Sequence, residues 1–128
     1  SGLTASASTG QIQLNWALTP GASNYNVYRS TTSGAYGAAL VTNVSGPTYT
    51  DSTVTNGIQY YYVIRANNGI ESGNSNEATA LPIAAFSLTS VVANSTTALV
   101  VTWPATSGAS TYDVRYGTAT GSYSTTLT

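Results

Sequence analysis

The chemistry open to this chain is set by its few ionisable side chains. It has three Arg and four acidic residues among 128, and it contains no His, Cys, Lys or Met. Without His and Cys, the common nucleophile–base pairs and the metal sites built on imidazole or thiolate are absent. Carboxylates are therefore the remaining candidates for catalysis.

The four carboxylates are Asp51, Glu71, Glu77 and Asp113. A glycosidase needs two carboxyl groups about 5–10 Å apart across a cleft. Glu71 and Glu77 flank one predicted hairpin loop and form the pair that could approach, but solvated turn charges are the simpler interpretation. Asp51 and Asp113 lie at predicted strand edges, and no acid-rich loop offers converging oxygens for calcium. We predict no catalytic residue, no metal site and no cofactor.

Tyrosine is the richest resource for recognition, with ten copies. Strand alternation predicts that Tyr28, Tyr61 and Tyr36 point outward, with Arg65 near them. Such a surface suits a flat aromatic platform for sugar rings or for a partner protein. Cross-strand stabilisation of an exposed sheet is the competing interpretation of the same residues.

Two triplets match the acceptor pattern for N-linked glycans, beginning at Asn43 and Asn94. In a chain rich in Asn, Ser and Thr such triplets arise often by chance, so they carry little weight.

Composition limits the partners. The apolar fraction of 41% supports a packed core, whereas the charged fraction of 5% lies far below the usual quarter. The net charge is −1 and the Arg residues are scattered, so no basic patch for nucleic acid or an anionic membrane is present. The apolar runs are too short to span a bilayer. We predict no nucleic-acid partner and no membrane insertion.

Period-2 alternation dominates the chain and predicts half-buried strands. In "IQLNW" the apolar side chains fall on one face, and in "QYYYVIRA" Tyr and Ile alternate with outward residues. Turn signals such as "TNG" and "NNG" separate these runs, and no stretch has a helical stripe. The predicted core residues are Trp16, Tyr25, Tyr60, Tyr62, Trp103 and Tyr112.

The predicted strands divide into a set of seven and a set of four. The seven are near Leu3–Ser8, Gln11–Ala17, Asn24–Ser30, Tyr36–Asn43, Thr48–Asp51, Gln59–Asn67 and Ser75–Ala80. The four are near Phe86–Ala93, Ala98–Trp103, Thr111–Tyr116 and Tyr123–Leu127.

The two sets are copies of one repeat. A shift of 87 residues places Trp16 on Trp103 and Tyr25 on Tyr112, and it aligns "GASNYNVYRSTTSGAY" with "GASTYDVRYGTATGSY". A repeat of this length is a small domain rather than a solenoid unit. We predict one domain over residues 1–82, ended by Pro82, and a second, incomplete one over residues 83–128.

These residues resemble a fibronectin type III domain. The resemblance rests on Trp16, on Tyr25 with Val27, and on the run "VTNGIQYYYVIRANNGIESGNSNEATALP". It implies an all-β, immunoglobulin-like antiparallel β-sandwich, followed by the first four strands of another. It also implies that Tyr60 is the family's corner tyrosine, whose hydroxyl bonds upstream backbone. The integrin-binding Arg-Gly-Asp of some members is absent, so an integrin role has no support.

The second copy lacks the strands that would complete its sandwich. A sandwich without its last three strands would expose an apolar face and an open edge that invites strand addition. Three explanations stay open: the chain is part of a longer protein, another chain completes the sandwich, or residues 83–128 pack against the first copy.

The resemblance implies a non-catalytic, extracellular or cell-surface module of bacterial type. The first hypothesis is a structural or adhesive module, including a fibre subunit completed by strands of a partner chain. The alternative is a spacer or carbohydrate-contacting accessory module of a secreted polysaccharide-degrading enzyme. The expected partners are protein, through self-association or neighbouring domains, and secondarily polysaccharide.

Overall fold

The computed structural model describes residues 2–127, and its backbone forms strands joined by turns and loops. The strands are β1 (Thr4–Ser8), β2 (Gln11–Asn15), β3 (Asn24–Ser30), β4 (Val41–Val44), β5 (Thr48–Asp51), β6 (Tyr60–Asn67), β7 (Ala78–Ala80), β8 (Ser90–Ser95), β9 (Ala98–Thr102), β10 (Val114–Tyr116) and β11 (Thr125–Leu127). Within this range there is no helix with the length and hydropathy needed to cross a membrane. The prediction of an all-β chain is confirmed.

The first seven strands form two antiparallel sheets, ordered β1-β2-β5 and β4-β3-β6-β7. Ile12 and Leu14 of the first sheet share one apolar cluster with Val27 and Tyr62 of the second. The alternation seen in "IQLNW" explains the burial, because Ile12 and Leu14 are covered while the intervening Gln13 is exposed. The two sheets therefore pack face to face as a β-sandwich.

The core between the sheets is rich in aromatic residues. The rings of Trp16 and Tyr25 meet edge to face with centroids 5.5 Å apart, a favourable geometry for an aromatic pair. Tyr60 and Tyr62 lie in the same cluster. The Thr55 N–H donates to the Tyr60 hydroxyl oxygen at 3.1 Å, which is the upstream backbone bond of a corner tyrosine.

Strand boundaries follow the predictions closely at β3 and β5 and differ elsewhere. The strand expected over Tyr36–Asn43 covers only Val41–Val44, because the hydroxyl of Tyr36 is hydrogen-bonded to Glu77 outside the ladder. The remaining differences are trimmed or shifted ends, by one or two residues at β1, β2, β6, β9 and β11 and by more at β7, β8 and β10.

Residues 83–127 form two separate antiparallel hairpins, β8–β9 and β10–β11. Trp103 and Tyr112, predicted as core residues, are only half-buried and lie outside the main core cluster. In the first copy β6 contributes Tyr60, Tyr62 and Ile64 to the cluster that holds their counterparts, while no strand described within residues 83–127 takes that place. Strand alternation also predicts that Tyr116 faces inward like Tyr112, but it is 53% exposed.

A local aromatic cluster forms in the second copy instead. Tyr112 lies between Trp103 and Phe86, with ring centroids 5.7 Å and 5.5 Å away. Leu99, expected to lie uncovered, is 69% exposed.

The repeat reproduces one hydrogen bond in both copies. The Thr19 N–H donates to the Tyr25 hydroxyl oxygen at 2.6 Å, and the Thr106 N–H donates to the Tyr112 hydroxyl oxygen at 2.7 Å. The turn before each tyrosine is closed in the same way, by Ala22 in the first copy and Ala109 in the second. The repeated segment therefore encodes a turn whose backbone N–H is hydrogen-bonded to the hydroxyl of the tyrosine that follows it.

Candidate interaction surface

The outer face of the four-stranded sheet carries the residues predicted to form a platform. The register pairs Tyr28 with Val63, Ser30 with Tyr61 and Asn26 with Arg65. Because side chains alternate along a strand, these residues share the face opposite the core. Tyr28 and Tyr61 are diagonal neighbours on it.

Tyr28 lies on the expected face, but the expectation that it is exposed is wrong. Only 7% of it is exposed. The Arg65 guanidinium lies 4.2 Å from the centre of its ring, and its hydroxyl donates to Glu71 Oε1 at 2.7 Å. The ring face and the hydroxyl are both engaged within the protein, so Tyr28 offers no flat surface to a ligand.

Glu71 organises this cluster. Its carboxylate accepts hydrogen bonds from the Asn26 amide and the Tyr28 hydroxyl, and from Arg65 Nη1 at 3.1 Å. The bonds from Asn26, Tyr28 and Arg65 hold the pKa of Glu71 below its ordinary value. The same bond to Glu71, together with burial, raises the pKa of Tyr28.

Glu77 organises a second cluster on the loop between β3 and β4. It accepts from the Ser33 hydroxyl at 2.7 Å, from the Gly34 N–H at 3.0 Å and from the Tyr36 hydroxyl. These bonds, led by that of Tyr36, lower the pKa of Glu77. Burial and the bond to Glu77 raise the pKa of Tyr36. Tyr36 and Tyr61 are both half-buried.

Glu71 is half-buried and Glu77 is exposed, as the interpretation of solvated turn charges allows, but each accepts hydrogen bonds from its own set of donors. A general acid in glycoside hydrolysis needs a raised pKa, whereas both of these carboxyls have lowered ones. Their lowered pKa values therefore disfavour an acid–base pair.

Asp51 is the ionisable residue whose environment the sequence did not reveal. It is fully buried between the sheets and accepts hydrogen bonds from Arg29 Nη1 at 2.7 Å and from the Tyr62 hydroxyl at 2.9 Å. The Thr53 N–H also donates to it at 2.9 Å, which orders the turn after β5. Its role is to join the two sheets.

A groove lies at the end of the sandwich where the β6–β7 connection meets the turn before β3. It encloses about 250 Å³ and is lined by Thr19, Pro20, Gly21, Ala22, Ala66, Asn67, Asn68, Ile70, Glu71 and Ser72. Ile70 is 82% exposed at its rim. None of the lining residues is aromatic, so the groove lacks a ring on which a sugar could stack.

The two glycosylation candidates are both exposed. Asn43 has a φ of 60°, a left-handed conformation that Asn tolerates better than most residues. Asn94 lies at a register irregularity between β8 and β9. Modification of either residue stays a prediction.

Comparison with curated proteins finds amylopullulanases. The chain is 43% identical over 82 residues to the amylopullulanase of Thermoanaerobacter thermohydrosulfuricus, a match covering 62% of this chain and 6% of that protein. It is 39% identical over 84 residues to the amylopullulanase of Thermoanaerobacterium thermosulfurigenes, covering 64% of this chain and 4% of that protein. The chain therefore spans a small part of the curated relatives it matches. No family model matches it.

Comparison with solved structures finds small modules and parts of enzymes. An Fn3-like protein from Clostridium thermocellum is 41% identical with a TM-score of 0.56, and the match covers 62% of this chain and 90% of that one. A β-1,2-glucanase from Parabacteroides distasonis is 25% identical with a TM-score of 0.56, covering 62% of this chain and 12% of that one.

Proposed function

Because this chain belongs to the fibronectin type III-like family, we propose that it is a non-catalytic accessory module that spaces the domains of a secreted polysaccharide-degrading enzyme. The observation that carries the proposal is the pair of amylopullulanase matches, of which the chain spans 6% and 4%. A segment so small within a long enzyme is one module among several, and the family itself is a non-catalytic kind of domain. The partners are then neighbouring domains of one chain, and the location is extracellular.

The same proposal includes the domain division. We take residues 1–82 as one domain and residues 83–128 as belonging to a second of the same kind. The closed core of the first copy supports this division, and so does the repetition of the Thr–Tyr hydrogen bond in the second.

Spacing is favoured over direct contact with sugar by the state of the tyrosines. Tyr28 is covered by Arg65 and bound to Glu71. Tyr36 is bound to Glu77. A carbohydrate platform works through exposed ring faces, but Arg65 covers the ring of Tyr28, and Tyr36 and Tyr61 are both half-buried. The tyrosines of the outer face are therefore engaged mainly by other residues of the protein.

The accessory-module hypothesis is also favoured over the fibre subunit. The curated relatives, at 39–43% identity, are amylopullulanases, and their names carry no reference to fibres or adhesion. The hypothesis of strand donation by a partner chain has no matching observation beyond the exposed apolar residues of the second copy.

Sedimentation with insoluble starch tests this function, together with an assay for reducing sugar released from soluble pullulan. We expect the chain to remain in the supernatant and to release no sugar. If the chain is instead retained on starch, Tyr61→Ala is compared with the exposed control Tyr116→Ala. Retention that falls in Tyr61→Ala but not in the control would indicate a carbohydrate-contacting module rather than a spacer. Release of sugar would contradict a non-catalytic role.

A further inference from the structure

The two copies meet at a pair of turns. The Ser107 hydroxyl, in the turn before the second copy's tyrosine, donates to the Asn56 carbonyl oxygen at 3.2 Å. Gly57 and Gly108 face each other so closely that a methyl group on Gly108 would lie 3.0 Å from Gly57 Cα. A methyl group on Gly57 would in turn collide with the Ser107 hydroxyl. At Gly108 the neighbouring backbone lies so close that a side chain would force the contact to shift.

The connection between the copies is fixed at both ends. The Gly57 N–H donates to the Pro82 carbonyl oxygen at 2.7 Å, and the Ala84 N–H donates to the Ser107 carbonyl oxygen at 3.4 Å. Pro82 is fully buried, and its ring fixes φ. Only Ile83 lies between the two anchored positions, and its Cγ2 would be 2.9 Å from a methyl group on Gly108.

The repeat supplies an internal reference for Gly108. Its counterpart in the first copy is Gly21, one repeat of 87 residues earlier. The two have similar φ values, +88° and +82°, which favour glycine at both positions. A methyl group on Gly21 would meet nothing within 4 Å. The close approach at Gly108 is therefore a demand of the contact between the copies and not of the turn.

We infer that this joint (Asn56, Gly57, Pro82–Ala84, Ser107 and Gly108) locks the two copies into one orientation, so that the chain acts as a rigid spacer. Linked domains ordinarily move relative to each other unless a large apolar interface holds them. Here the contact between the two copies is small, and the connection anchored at both ends restricts their relative motion instead. The inference concerns the mechanics of this chain and holds whichever protein carries it.

Distances between two spin labels, measured by double electron–electron resonance, test the lock. Because the chain has no Cys, Ser6→Cys and Asn94→Cys introduce unique labels at exposed positions of the two copies. We expect one narrow distance distribution in the labelled chain. Gly108→Ala should broaden it about twofold or more, as expected for domains released to move, and Gly21→Ala should leave it narrow.

Two results would overturn the inference: a broad or multiple distribution in the labelled chain, or equal widths for Gly108→Ala and Gly21→Ala. Far-ultraviolet circular dichroism checks that each variant is folded. If Gly108→Ala fails to fold, Ser107→Ala replaces it, since it removes the bond to Asn56 without backbone strain. An unchanged width for Ser107→Ala would then reject the lock, and a broadened one would support it.

Discussion

At the scale of single residues, the ion pair of Arg29 and Asp51 is the most consequential polar contact. Arg29 points inward from β3, and Asp51 lies on β5 of the opposite sheet, with the Nη1–Oδ2 distance 2.7 Å. Burial alone would raise the pKa of Asp51, but hydrogen bonds from Thr53, Arg29 and Tyr62 outweigh it and hold this pKa below its ordinary value. The folded protein therefore stabilises the charged carboxylate.

Replacing Asp51 should destabilise the first domain. Asp51→Asn leaves the Arg29 charge without its partner, and breaking such a pair costs about 3–5 kcal/mol when it is buried. Because a quarter of the Arg29 side chain is exposed, we expect about 3 kcal/mol, at the lower end of that range. Urea denaturation at neutral pH measures it. Asp113→Asn, at an exposed acid, is the control and should change the free energy of unfolding little.

The same pair predicts a pH dependence. The pKa of Asp51 is lower in the folded state than in the unfolded state, so its contribution is complete above an ordinary carboxyl pKa of about 4. It is lost as the pH falls through the folded value. The parent chain should therefore lose more stability than Asp51→Asn on acidification below about pH 4. Parallel acid unfolding profiles for the two would argue against this assignment.

At the scale of elements, the repeat places one turn–strand unit in two different settings. Trp16 packs in the closed core, whereas Trp103 is half-buried against Tyr112. The sequence alone predicted equal roles for them. The difference arises because packing depends on the strands opposite, not on the unit itself.

Substituting each tryptophan by Ala tests that difference. Trp16→Ala should cost about 3–5 kcal/mol, as for a buried Trp, and Trp103→Ala clearly less. Each variant keeps only the Trp of the other copy, so denaturant titrations are followed by circular dichroism rather than by Trp fluorescence. Equal losses of stability would show that Trp103 lies in a core as closed as that of Trp16.

Local pattern sufficed for the elements that depend on neighbours in sequence. Alternation and turn residues predicted β3 at Asn24–Ser30 and β5 at Thr48–Asp51. The local pattern failed at Tyr36, because this residue lies in a loop where its hydroxyl binds Glu77, 41 positions later. No periodicity encodes such a contact.

The candidate surface shows the same limit. Alternation placed Tyr28 on the outer face, but Arg65 covers its ring and its hydroxyl binds Glu71, 43 positions away. The sequence predicted Asp51 only as an acid at a strand edge, because its partner Arg29 lies 22 positions earlier on another strand. Position within an element was predictable, whereas exposure was decided by contacts between distant elements.

At the scale of the whole molecule, the described acids of the first domain serve structure rather than chemistry. Asp51 joins the sheets, Glu71 fixes the outer face and Glu77 fixes the β3–β4 loop. The match to an Fn3-like protein covers 90% of that protein, which indicates a module that folds as a unit. These observations favour a spacer whose value lies in its shape.

The most direct test of that claim is an exchange within a relative. Residues 1–82 of this chain would replace the matched 82-residue segment of the Thermoanaerobacter thermohydrosulfuricus amylopullulanase, with a Gly/Ser linker of equal length as the comparison. The measurement is the rate of pullulan hydrolysis per enzyme. A spacer with a defined shape predicts that the domain exchange retains the activity and the flexible linker lowers it. Loss of activity with the exchanged domain, or full activity with the linker, would contradict the account.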